Sequence, residues 1–201
     1  VIAALYVLKD GPYFGLPGVD PWDEERDARK YTESYPVIAH PPCERWGRYW
    51  SGGPSAKVKR KLGDDNGCFE HALDVVRSRG GVLEHPEASY AFKKFGLPIP
   101  KWHGGWTAPD HFGGRSCCVA QGKYGHQARK MTWLYAVLPH YPELKWGPSN
   151  GMKRLDQGYH SKAERARIIK TGVCQLLSKR QRQETPLEFR DLLISLARSF
   201  E

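Results

Sequence analysis

The stretch "PVIAHPPCERWGRYW" (Pro36–Trp50) decides how the chain is read. Val37, Ile38 and Ala39 form a short continuous apolar run, the pattern of a strand buried on both faces. Proline fixes φ and restricts the residue before it, so Pro41 and Pro42 hold Cys43 at a defined angle at the strand's C-terminal end. Upstream, "VIAALYVL" (Val1–Leu8) is a second such run, ended by the turn residues of "KDGPYFGLPG". Downstream, a helix is expected from Asp64 or Asp65. Phe69, Ala72, Leu73 and Val76 fall at helical spacing, and Gly80-Gly81 stop it. "GVLEHP" (Gly81–Pro86) is then another short strand, bringing Glu84 to its end. Strand, helix, strand in this order predicts an α/β fold with a mostly parallel, Rossmann-type sheet flanked by helices. Cys43 and Glu84 are expected on one edge of it.

Three further elements are expected. "PWDEERDARKY" carries proline first and acids early, as a helix start does. Thr132 to Leu138 reads as a strand. "TPLEFRDLLISLAR" reads as the clearest helix: Thr185 as N-cap, Pro186 at N1, Glu188 closing a capping box, and an apolar stripe of Phe189, Leu192, Leu193 and Leu196. Residues 139–183 carry few apolar periodicities and many basic groups, and are expected to be an irregular insertion or a DNA-contacting segment within one domain spanning 1–201.

The 201 residues suffice for one buried core, and a 40% hydrophobic fraction with seven tryptophans excludes a disordered chain. The net charge of +9 sets up a field that draws in polyanions, phosphate backbones above all. Five cysteines make an odd count, no signal-like segment opens the chain, and no apolar run reaches membrane-spanning length. These features point to a reducing, cytoplasmic setting with free thiols and no membrane.

A cysteine thiolate is a strong nucleophile when cations lower its pKa, and His40, Arg45 and Arg48 stand close to Cys43 in sequence. A carboxyl on the adjacent strand end can protonate or hydrogen-bond a ring nitrogen. Cysteine with glutamate therefore suits attack on a heteroaromatic ring. The competing readings are a buried thiol beside a surface charge, and a zinc set made of His40-x-x-Cys43 and Cys68-x-x-His71.

Three motifs resemble those of the DNA cytosine C5 methyltransferase family, in its short bacteriophage-type members. "HPPC" (His40–Cys43) resembles the family's Pro-Cys nucleophile loop, "LEHP" (Leu83–Pro86) its Glu-Asn motif, and "QARK" (Gln127–Lys130) its Gln-x-Arg-x-Arg strand. Glu84 follows Cys43 by 41 positions, and Gln127 follows Glu84 by 43. The resemblance implies that Cys43 adds to C6 of a base flipped out of DNA while Glu84 contacts the N3 edge. It also implies that Arg129 joins them catalytically and that Gln127 lines the base pocket. His40, Pro42, Arg45, Trp46, Arg48, His85, Lys123, Tyr124, His126 and Lys130 lie in the matching segments and complete the expected substrate-binding set.

His85 stands where the family has asparagine, and Met131 where it has a second arginine. The family's glycine-rich loop for S-adenosylmethionine is replaced by "YVLKDGPYFG". Only 27 residues separate Leu8 from Pro36. One strand–helix–strand unit takes ~30. The expectation is a shortened methyltransferase-like sheet that activates a pyrimidine in DNA toward an electrophile of unknown identity other than S-adenosylmethionine. Asp10, Asp20, Asp23 and Asp27 are candidates for the second substrate. A true S-adenosylmethionine-dependent methyltransferase and a non-catalytic DNA-binding relative are the alternatives. Aromatics among basic residues (Trp46, Trp50, Trp102, Trp106) and the run Lys57–Lys61 are candidate nucleic-acid contacts.

Overall fold

Short apolar runs separated by turns build a six-stranded mixed sheet with helices on both faces. A computed structural model of the chain describes residues 1–52, 57–58, 60–149, 153, 155, 162–171 and 176–200. In chain order the elements are β1 (Ile2–Leu5), β2 (Val19–Trp22), β3 (Val37–Ala39), α1 (Cys68–Arg79), β4 (Gly81–Pro86), α2 (Tyr90–Lys94), β5 (Arg115–Ala120), β6 (Met131–Val137), α3 (Lys162–Thr171), α4 (Lys179–Gln183) and α5 (Leu187–Arg198). The strand order is β2-β1-β3-β4-β6-β5. The first four of these run parallel, whereas β6 is antiparallel to both β4 and β5. This is the α/β architecture expected, with an antiparallel pair added at one side.

Strand alternation sorts the core into two faces. Ile2, Ala4, Ile38, Val82 and Leu134 pack with Phe189, Leu193 and Leu196 of α5. Ala3, Leu5, Val37, Ala39 and Leu83 pack with Phe69, Leu73 and Val76 of α1. Each large side chain so buried stabilises the fold by roughly 1.5–3 kcal/mol. The β3–β4 ladder depends on Gly81, whose φ is +118° and whose missing Cβ would lie 1.9 Å from the Val37 carbonyl oxygen.

Two expected elements differ. The segment from Pro21 to Tyr31 is not a helix: Val19–Trp22 pair with the open side of β1, and only Ala28–Lys30 make a 3-10 turn behind a left-handed Asp27. A short helix nucleates poorly, and a free strand edge offers its backbone better partners. Pro21 is tolerated because β2 is an edge strand. At α5 the helix starts at Leu187 with Pro186 as N-cap and no side-chain cap, so the Thr185–Glu188 capping box does not form. Among its described residues the basic segment 139–183 carries α3 and α4; Lys59 of the Lys57–Lys61 run and positions 150–152, 154, 156–161 and 172–175 lie outside the described residues. No helix among the described residues is long and apolar enough to cross a membrane.

Candidate active site

Sheet register creates the site. Ala39 pairs with Leu83, so the next residues along these parallel strands, His40 and Glu84, are neighbours on the α5 face. His40 Nδ1 lies 3.0 Å from Glu84 Oε2, and His40 Nε2 lies 2.9 Å from the Tyr13 hydroxyl. Gln121, which follows β5, donates from Nε2 to Glu84 Oε1 at 3.3 Å and to Thr132 Oγ1 at 2.9 Å. Antiparallel pairing brings the start of β6 to the ends of β4 and β5, which is why Gln121 and Thr132 reach Glu84. The His40 and Glu84 side chains are 14% and 15% exposed, so the carboxylate is sheltered yet reachable. Burial pushes the Glu84 carboxyl up, but the His40 hydrogen bond and the charges of His40, Lys130 and His85 outweigh it and hold its pKa below the ordinary value.

Cys43 rides over this edge. His40 lies on the α5 side, while Trp46 is buried on the α1 side against Phe69 and Phe95, its Nε1 donating to Asp65 at 2.8 Å. The loop between them must cross the carboxyl ends of the strands. The Cys43 carbonyl accepts from the backbone N–H groups of Trp46 and Gly47, at 3.1 and 2.9 Å, which stiffens the turn. The residue is exposed, as presentation by two prolines requires. Its thiol is not poised as expected, however. Loss of hydration and the Glu84 and Glu44 charges raise its pKa, against a smaller lowering by its own backbone and Lys130. The arginines expected to lower it are not among the charges that act on it: Arg48 is exposed beside the Tyr49 ring, and one Arg45 nitrogen is buried without a partner among the described residues.

The cation acting on both Cys43 and Glu84 is Lys130. Burial lowers its pKa, and the Glu84, Cys43 and Glu184 charges oppose that shift. Arg129, expected at the base, instead donates from Nε to the Ser149 carbonyl at 3.2 Å and is exposed. Gln127 is likewise exposed and lines a separate cleft of about 290 Å³ with Gln181, Glu184 and Leu187.

Several expected contact residues are structural. Trp46 fills the core. Tyr124 is buried against Phe189 and its hydroxyl accepts from the Lys145 backbone at 2.8 Å. His126 accepts from the Ala128 N–H at 3.0 Å and donates from Nε2 to the Gln181 carbonyl. Lys123 Nζ donates to the Trp146 carbonyl. His85 is fully buried edge-on to Phe69, close to the Pro42 carbonyl, and its burial keeps it from a substrate. Burial pushes its pKa down to about 4, against the Glu84 charge and the nearby Pro42 carbonyl, which favour the protonated ring. Pro42 itself is exposed beside Cys43.

The four candidate zinc ligands do not converge. His40 is engaged by Tyr13 and Glu84, His71 pairs with the Tyr6 hydroxyl at 3.0 Å, and the described residues include no cluster of three or more His, Cys, Asp or Glu able to hold a metal. Asp20 pairs with Arg26, Asp27 with Arg29, and Asp23 accepts from the Arg26 N–H at 3.0 Å. Of the aromatics, Trp106 packs on Tyr141 and Trp146, and Trp102 is 41% exposed.

Sequence reading missed Tyr13, Gln121 and Thr132. Gln121 ends the apolar run "CCVA" just as Glu84 ends "GVL", a signal hidden because β5 was not recognised. Comparison of the chain with protein-family models, with curated proteins and with solved structures yields no match, so the geometry of this sheet edge carries the functional reading.

Proposed function

We propose that the chain is a DNA pyrimidine base-modifying transferase acting at C5 of a flipped-out base. The observation that supports it is an exposed thiol and a sheltered carboxylate at one sheet edge, with the charge of the half-buried Lys130 acting on both. Cys43 loses its proton to solvent and its thiolate forms a bond to C6 of the ring. Glu84 meets the N3 edge, so that electron density gathers at C5, which then bonds to an electrophilic carbon of the donor as that carbon's bond to its leaving group breaks and the leaving group takes the electron pair. Loss of the C5 proton and expulsion of Cys43 restore the aromatic ring. Lys130 holds positive charge beside both reacting groups, where a low-dielectric setting strengthens its effect. The +9 charge favours a polyanionic substrate, and extrusion of the base is what exposes its ring to a thiol.

The family resemblance implies S-adenosylmethionine as the donor, and the residues after β1 do not fit it. In place of a glycine-rich loop, Tyr6 pairs with His71 and the buried Tyr13 reaches His40. The donor is therefore read as another electrophilic carbon source.

The test needs no donor. Addition at C6 labilises the hydrogen on C5, so DNA incubated with the protein in D2O should gain deuterium at C5 of a pyrimidine. The signal should vanish in Cys43→Ser. DNA that binds without exchange would overturn the proposal in favour of a non-catalytic binding role.

A further inference from the structure

The Glu84 carboxylate is held by two donors of different kinds. Gln121 offers an amide hydrogen that cannot leave, whereas His40 offers one that can. Behind His40 stands Tyr13, which is 1% exposed and bonded to the other ring nitrogen. Its hydroxyl accepts from Nε2 of an imidazolium and equally holds the neutral ring after Nδ1 has given up its proton. Burial closes that end to water. Glu84 rests ionised under these contacts, yet ring activation asks it to deliver a proton to N3.

We infer that His40, seated on Tyr13, is the proton reservoir that charges Glu84 for base activation, an inference that rests on the reading of Cys43 and Glu84 above. The proton passes from His40 Nδ1 to the carboxyl group. The terminal carboxyl torsion is soft, so the protonated oxygen can turn toward the base. As the Cys43 sulfur bonds to C6, Glu84 gives the proton to N3, leaving a carboxylate and a neutral imidazole. When the carbon–sulfur bond breaks, the N3 proton returns to Glu84 and then to His40, and the cycle closes without an outside acid.

The groups acting on this relay come from every neighbouring element. Lys130 at the start of β6 and His85 on β4 act on Glu84, Arg190 and Asp191 of α5 act on Tyr13, and Cys43 lies on the same loop as His40. His40 and Tyr13 act through Glu84, so they are positioning residues.

The experiment compares wild type, His40→Gln, His40→Ala and Tyr13→Phe, each checked for folding by thermal melting. Glutamine keeps a donor toward Glu84 but carries no transferable proton. The rate of C5 hydrogen exchange should fall roughly 10²-fold in His40→Gln, the low end for proton transfer by a positioned side chain. The pH profile of the exchange rate should also differ in shape between His40→Gln and wild type, because glutamine has no proton to pass to Glu84. Tyr13→Phe, which removes the hydroxyl from His40 Nε2, should alter the same profile. If wild type exchanges and His40→Gln keeps its rate and profile, the relay is wrong while the proposed function stands.

A second readout needs no activity. Carbon-13 titration of the Glu84 carboxyl in the free protein should move to higher pH in both His40 variants, most in His40→Ala. Unchanged titration overturns the relay even where no DNA exchanges, an outcome that would sink the proposed function separately.

Discussion

Lys130 stands in the left-handed region, φ +41°, and its Nζ donates to the Glu184 carbonyl at 3.1 Å, 54 positions further along the chain. A non-glycine residue held there costs about 1–3 kcal/mol, so the surrounding structure must over-determine it. Gln121 N–H and the Thr132 hydroxyl both donate to the Lys130 carbonyl, which locks the turn. The turn places the Lys130 ammonium, bonded to the Glu184 carbonyl, near enough for its charge to act on both Cys43 and Glu84.

Replacing that charge has a defined direction. Lys130 lowers both the Cys43 thiol and the Glu84 carboxyl. In Lys130→Met both should titrate higher. Alkylation of Cys43 by iodoacetamide at neutral pH should slow severalfold, and C5 exchange should reach its maximum at a more alkaline pH than in wild type. Unchanged alkylation kinetics would remove Lys130 from the site.

His85 links burial to acid sensitivity. Its pKa falls from the usual 6.5 to about 4 because the folded state keeps the ring neutral. The unfolded chain therefore binds more protons between these values, and stability is lost as pH falls from about 6.5 to about 4, by about 3 kcal/mol. His85→Phe keeps a ring against Phe69 and removes the titrating group. Urea unfolding across this window should show a flatter pH dependence in the variant, with no loss of stability at neutral pH.

Arg45 supplies a guanidinium nitrogen that is buried and without a partner among the described residues. The rest of its side chain is half-buried, two residues along the loop from Cys43, where its charge would attract a phosphate of the proposed substrate. Arg45→Ala should weaken DNA binding by a similar factor across sequences and reduce the slope of log K against log salt by about 1. Fluorescence anisotropy at several salt concentrations checks this.

Gly81 should tolerate no side chain. A Cβ there meets the Val37 carbonyl oxygen at 1.9 Å, at a φ of +118°. Gly81→Ala is expected to destabilise by more than about 3 kcal/mol, beyond the range of most single substitutions. Because Gly81 opens the strand whose register sets His40 beside Glu84, any folded remainder should also lose C5 exchange.

The strands that carry Cys43 and Glu84, and the helix between them, are readable from local chemistry. An apolar run of strand length, a 3.6-residue apolar period and a glycine stop are all encoded within a few neighbours. The edge shared by Cys43 and Glu84 follows from the parallel crossover. β5 escaped because "RSCCVA" opens with polar residues and sits between glycine-rich loops. The expected helix after Pro21 failed for the opposite reason: its charge order is right, but the free edge of β1 competes for its backbone.

Charge and hydrogen bonding across the site depend on distances that no linear spacing encodes. Arg129 and Lys130 are adjacent in sequence, yet one bonds the Ser149 carbonyl and the other the Glu184 carbonyl, and only Lys130 acts on Cys43 and Glu84, because the left-handed Lys130 turns the chain into β6. The raised Cys43 thiol, the buried His85 and the Tyr13–His40–Glu84–Gln121 chain arise only when the loop after β1, two strand ends and an antiparallel partner meet. Short-range chemistry names the groups, but desolvation and opposing charge, set by packing, choose their protonation states and partners.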